Sequence, residues 1–115
     1  KYPATMTMND FKNIDVAELK NLREHGRVNL IDVRTDAEVA QGMLEGANHI
    51  PLHLLPLKAQ ELDSGVPTVF YCRSGGRSAQ ACAFLAAKGM GNLHNLQGGI
   101  QAWMNSGFPV AVAAY

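Results

Sequence analysis

The segment from Thr68 to Lys88 limits what this chain can fold into more than any other. Thr68-Val69-Phe70-Tyr71 is a β-branched and aromatic run that reads as a strand. Ala79 to Lys88 is alanine-rich and reads as a helix, with Gly89 as its natural C-cap. Only Cys72-Arg73-Ser74-Gly75-Gly76-Arg77-Ser78 lies between them. Strand and helix patterns alternate in the same way elsewhere in the chain. That alternation predicts an α/β fold: a mainly parallel central sheet of about five strands, flanked by helices on both faces.

The other elements can be placed in order. Phe11 to Ile14 can form a short strand, and residues 1–10 read as a flexible N-terminal segment before a single domain over 11–112. Asp15-Val16-Ala17-Glu18 is a capping box opening a helix that carries Leu19 and Leu22 on one face and ends by Gly26. Val28 to Asp32 is the next strand, and Thr35 can cap a short helix through Glu38 and Val39. Asn48 to Ile50 reads as a strand stopped by Pro51. Leu54 to Leu62 reads as a helix with Pro56 in its first turn. Residues 64–67 form a turn, Asn92 to Leu96 the last strand, and Gly98-Gly99 opens a short helix through Trp103 and Met104. Trp103 reads as core packing.

At 115 residues the chain is one domain, large enough to bury its own core. Its 47% apolar and 17% charged residues fall in the globular range. The formal net charge of zero gives no electrostatic footprint for nucleic acid or an acidic membrane surface. No apolar run approaches the ~20 residues of a membrane span. The chain begins at Lys1. A cytoplasmic location is expected, with a periplasmic one open if a signal peptide was removed upstream of Lys1. The histidines at positions 25, 49, 53 and 94 make no pair with metal-ligand spacing, and two cysteines do not frame a zinc site. No metal and no cofactor are expected.

Cys72 sits where a strand ends and a glycine loop leads into a helix. Loop and first-turn N–H groups can converge on one anion there. The helix macrodipole, Arg73 and Arg77 add positive potential. All of this favours the thiolate, the nucleophilic form of cysteine. Cys82 lies inside the helix among Ala81, Ala83, Phe84 and Leu85 and reads as a small buried hydrophobe. Ligands of open α/β sheets bind beyond the carboxyl ends of the strands. Asp32-Val33-Arg34 follows one such end and Cys72 another, so the two loops should meet although forty residues separate Asp32 from Cys72.

The frame Cys72 to Arg77 is Cys-x4-Arg, one residue shorter than the Cys-x5-Arg cradle of protein tyrosine phosphatases, whose arginine position is held here by Ser78. The six-residue loop instead resembles the active-site loop of the rhodanese (sulfurtransferase) family. Three more segments resemble that family in order and spacing. They are Ile31-Asp32-Val33-Arg34 with Glu38, Gly42 to Pro51, and Gly98-Gly99-Ile100-Gln101-Ala102-Trp103 with Gly107 to Val110. Together they span the chain from about Ile14 to Val110. Met43 stands at the family's usual histidine position and Glu45 at a frequent proline.

The resemblance implies a single-domain sulfurtransferase with two-step covalent chemistry. Cys72 would take the sulfane sulfur of a donor such as thiosulfate as a persulfide, then pass it to cyanide or a thiol. A sulfur-carrier protein is a further possible partner. Backbone amides from Arg73 through Ser74, Gly75, Gly76 and Arg77 to Ser78 are the candidates for holding the persulfide. Arg77 is the candidate contact for the donor's anionic part, and Arg73 a second contact or an entrance charge. Ser78 is expected to cap the helix, and Ser74 to lend a hydroxyl or favour the turn. Asp32 and Arg34 are expected to support the loop, with Arg34 pairing to Glu38 across a helical turn. Two alternatives stay open. One is a phosphatase or arsenate reductase of related fold, which the short loop disfavours. The other is a sulfur-carrier or regulatory interaction module that receives persulfide from a protein partner, which needs the same Cys72 and loop.

Overall fold

A computed structural model of the chain describes residues 11–63 and 65–112. The expected loose segment 1–10 lies outside the described residues, as does Ser64 of the expected 64–67 turn. Five strands, β1 (Lys12–Ile14), β2 (Asn29–Asp32), β3 (Asn48–His49), β4 (Thr68–Tyr71) and β5 (Leu93–Leu96), form one sheet in the order β1-β5-β4-β2-β3. Every pairing in it is parallel. The register sets Asp32 against Tyr71, and Val33 N–H donates to the Tyr71 carbonyl at 3.1 Å. Asp32 and Tyr71, 39 residues apart in sequence, therefore become neighbours at the carboxyl end of the two central strands.

The helices are α1 (Val16–His25), α2 (Asp36–Ala40), α3 (Leu55–Lys58), α4 (Gly76–Ala87) and α5 (Gly99–Asn105). They cover both faces, because the side chains of a strand alternate. Leu30, Val69, Tyr71 and Leu96 face one layer with Val16 and Leu19 of α1 and Ile100 and Trp103 of α5. Ile31, Phe70, Cys72 and Leu93 face the other, with Leu55 of α3 and Ala81, Cys82 and Leu85 of α4. All four residues of β4 are buried, as expected of a strand covered on both sides.

The capping box expected at Asp15 forms, and the cap expected at Thr35 forms as a full capping box too. Asp15 Oδ1 accepts from Glu18 N–H and Glu18 Oε1 from Asp15 N–H. Thr35 and Glu38 do the same at α2. Two expectations need correction. The helix expected over 54–62 is three short windings: a 3-10 turn at Leu52–Leu54, α3, and a second 3-10 turn at Ala59–Glu61. Pro51 and Pro56 remove two amide donors from the opening turns. The segment closes instead with i→i+3 bonds, Leu54 N–H to Pro51 and Leu62 N–H to Ala59. The helix expected from Ala79 begins three residues earlier, at Gly76, so the end of the cysteine loop is itself helical.

Candidate active site

Cys72 is the first residue past β4. Gly75 then turns the chain with φ +112°, a left-handed value open to glycine at little cost. That turn aims Gly75 N–H back at the Cys72 Sγ, 3.1 Å away. Burial pushes the Cys72 thiol up, but hydrogen bonds from the Ser78 hydroxyl and from the N–H groups of Ser78, Gly75 and Ser74 outweigh it, and the thiol lies below its ordinary value. The sulfur thus rests in a ring of donors at the start of a twelve-residue helix. Cys72 is only 1% exposed.

Ser78 does not cap α4. The left-handed Gly75 is the N-cap, and Ser78 stands in the first turn with its side chain turned inward. Its Oγ lies 3.5 Å from Cys72 Sγ and donates to Asn95 Oδ1 at 2.5 Å. Asn95 Nδ2 in turn donates to Asn13 Oδ1 at 3.0 Å. A polar chain therefore runs from exposed Asn13 on β1 through buried Asn95 and Ser78 to the sulfur. The sequence reading missed Asn95. Its signal was a polar amide inside a strand, Leu93-His94-Asn95-Leu96, that the alternating pattern buries.

Asp32 and Arg34 form a buried pair. Arg34 Nη2 donates to Asp32 Oδ2 at 2.7 Å, Nε bridges both carboxylate oxygens, and Arg34 N–H donates to Oδ1. Arg34 Nη2 also donates to the Gly42 carbonyl at 2.6 Å. Burial pulls the Arg34 guanidinium down, but Asp32 outweighs it and leaves it above its ordinary value. The pair ties the end of β2 to the segment from Gly42. There Leu44 N–H donates to the Tyr71 hydroxyl at 3.0 Å. Met43, at the family's histidine position, bridges to Ala111 through both backbone groups. Among the described residues, the side-chain hydrogen bonds of Asp32 and Arg34 do not reach Arg73 to Ser78.

The expected Arg34–Glu38 side-chain pair does not form. Arg34 reaches only the Glu38 carbonyl, at 3.5 Å, because Asp32 already holds its guanidinium. The Glu38 carboxylate instead pairs with Arg77, Nη1 to Oε1 at 2.7 Å and Nη2 to Oε2 at 2.9 Å. The Arg77 guanidinium holds the Glu38 carboxyl at about 2.

Helix α5 closes the back of the loop. Ile100 N–H donates to the Cys72 carbonyl at 3.0 Å and Gln101 N–H to the Arg73 carbonyl at 3.2 Å. A Cβ on Gly99, which has φ +56°, would collide with both carbonyls. The Gly98-Gly99 pair thus lets the opening turn of α5 lie directly against the cysteine loop.

This arrangement, a parallel five-stranded sheet with a cysteine cradled in amides at its carboxyl edge, has known counterparts. A family model described as the rhodanese-like domain matches residues 15–106, from the cap of α1 to the end of α5. The chain belongs to the rhodanese-like family. A sulfurtransferase of Allochromatium vinosum is 49% identical over 81 residues, 70% of this chain and 76% of its own length. Thiosulfate sulfurtransferase GlpE of Pseudomonas fluorescens is 34% identical over 106 residues, 92% of this chain and 95% of its own. A rhodanese-like domain protein from Staphylococcus aureus superposes with a TM-score of 0.80 at 31% identity, covering 90% of this chain and 100% of that one. These relatives place the rhodanese-like domain described here among the sulfurtransferases. Among its described residues no helix is long and apolar enough to cross a membrane, and no group of three or more His, Cys, Asp or Glu is placed to hold a metal ion.

Proposed function

We propose that this domain transfers sulfane sulfur from thiosulfate or another persulfide donor to cyanide or a thiol, through a persulfide on Cys72. The observation that carries the reading is the Gly75 N–H on Cys72 Sγ, backed by the Ser78 hydroxyl. A sulfur so surrounded by donors is stabilised as the anion, and no separate general base is needed. Cys72 thiolate attacks the donor's terminal sulfur. The donor's S–S bond breaks, and sulfite leaves with the electron pair. The same donors, the Ser78 hydroxyl and the N–H groups of Ser74, Gly75 and Ser78, then hold the persulfide anion within the loop from Arg73 to Ser78. Cyanide attacks its outer sulfur, and thiocyanate leaves with the Cys72 thiolate restored. Because so little of Cys72 is open, the attacked atom must be terminal on the donor, as a sulfane sulfur is.

Intact mass after incubation with thiosulfate tests this. Cys72 should gain one sulfur, about 32 Da, that cyanide then removes. Cys72→Ser should gain nothing and release no thiocyanate while keeping its fold by circular dichroism. Thiocyanate formation at the wild-type rate by Cys72→Ser, or sulfur mapped to Cys82, would end the proposal.

A further inference from the structure

One ion pair at the mouth of the cysteine loop has no part in the steps above. Arg77, in the first turn of α4, gives both outer nitrogens to the Glu38 carboxylate in a fork-on-fork contact. Glu38 is itself held in place. Its Oε1 also accepts from Thr35 N–H and Thr35 Oγ1, each at 3.1 Å, as part of the α2 capping box. The carboxylate is thus anchored on α2 and reaches across to α4. The two side chains are 30% and 35% exposed, so an arriving solute meets the pair at the water boundary. Arg77 also lines a largely apolar cleft of about 280 Å³ with Val33, Thr35, Pro51, Leu52 and His53.

We propose that Glu38 sets donor specificity: by occupying Arg77 it disfavours the thiosulfate dianion relative to monoanionic donors such as organic thiosulfonates. The proposal rests on the sulfurtransferase reading of Cys72. Arg73 and Arg77 bring two positive charges to this loop, and Glu38 cancels one of them. To use Arg77, a donor must displace a carboxylate that is tethered, pre-oriented and bidentate. It must also approach a negative charge fixed at the mouth. The displacement cost is the same for every donor, but the repulsion from Glu38, and the attraction forgone while Arg77 is neutralised, both grow with the donor's charge. A thiosulfonate carries one negative charge fewer and offers an organic group to the apolar cleft wall. The chemistry is the same for both donors. Cys72 thiolate forms an S–S bond as the donor's own S–S bond breaks, and the electron pair leaves on sulfite from thiosulfate or on sulfinate from a thiosulfonate. Charge balances in each case, and no oxidant or reductant is required.

The test compares kcat/KM for thiosulfate and for methanethiosulfonate, with cyanide as acceptor, in wild type, Glu38→Gln, Arg77→Ala and the double variant. Glutamine keeps an oxygen for the capping box but loses the charge. Glu38→Gln should raise kcat/KM for thiosulfate about tenfold and for methanethiosulfonate less than about threefold. In the Arg77→Ala background the same change should give less than half of the thiosulfate gain, on a logarithmic scale, because the released arginine is absent. An unchanged or lowered thiosulfate value in Glu38→Gln overturns the proposal. So does an equal rise for both donors, or a full gain without Arg77. In all of these cases intact mass still shows sulfur on Cys72, and the sulfurtransferase reading stands. Absence of sulfur on Cys72 with either donor overturns that reading and this proposal together.

Discussion

Cys72 and Cys82 are ten residues apart, both buried, and opposite in acidity. Burial alone pushes the Cys82 thiol up to about 12. Its Sγ meets the His94 carbonyl at 3.4 Å, an acceptor that suits S–H and not a thiolate. Cys72 suffers the same desolvation, but its neighbours are donors. The Ser78 hydroxyl is one of them, and it has a single proton to share between Cys72 Sγ and Asn95 Oδ1. Removing that hydroxyl should raise the Cys72 thiol toward its ordinary value. The pH–rate profile of iodoacetamide alkylation of Ser78→Ala should therefore shift to higher pH than that of wild type. A profile that does not move would show that the hydroxyl serves Asn95 alone. The sign carries into stability. A depressed thiol contributes stability that is present above the unfolded thiol value and is lost as pH falls through the folded one.

Elements meet at this site through backbone as much as through side chains. The first turn of α5 lies against the cysteine loop because Gly99 has no Cβ to strike the Cys72 and Arg73 carbonyls. Gly99→Ala combines that collision with a left-handed φ, so it should cost more than about 2 kcal/mol of stability in urea unfolding. It should also slow sulfur loading, since the loop must move to make room. Loop length should select the ligand. Arg77 stands one residue short of the phosphatase position and is held by Glu38. Aryl phosphate hydrolysis should accordingly be negligible where thiosulfate turnover is measurable, and comparable rates for the two would refute the loop-length argument. The Glu38–Arg77 contact also latches α2 to α4. Glu38 is depressed to about 2, so the latch is whole above the ordinary carboxylate range and is lost as pH falls toward about 2. Wild type should melt slightly above Glu38→Gln at pH 7, by the fraction of a kcal/mol typical of a part-exposed pair, and the two should converge as the solution is acidified.

At the scale of the whole molecule, the sheet divides the core into two layers. Leu19 is fully buried in one and Leu85 nearly so in the other. Leu19→Ala and Leu85→Ala should each cost about 2–5 kcal/mol. Their effects on the site should differ. Leu85 anchors the helix whose first turn surrounds the sulfur, whereas α1 has no residue in the cysteine loop. At a temperature where both variants are fully folded, Leu85→Ala should change the alkylation rate of Cys72 and Leu19→Ala should leave it near wild type. Equal effects would mean that the layers are coupled through the sheet rather than separated by it.

The strand–cysteine loop–helix unit, the helix caps at Asp15 and Thr35, and the alternation that requires a parallel sheet were all legible in the sequence. Each depends on residues close together in the chain, where turn chemistry and periodicity act directly. The choice of partners was not. Glu38 reads as a partner for Arg34 by its spacing of four, yet Asp32, two residues before Arg34, holds that guanidinium, and the fold sets Glu38 against Arg77, 39 residues on. Ser78 reads as a cap, yet α4 starts three residues early and turns its hydroxyl toward Asn95 and the sulfur. A charge or a hydroxyl takes the partner nearest in space, and across a parallel sheet that distance is fixed by how the strands are ordered and how each helix is wound onto them.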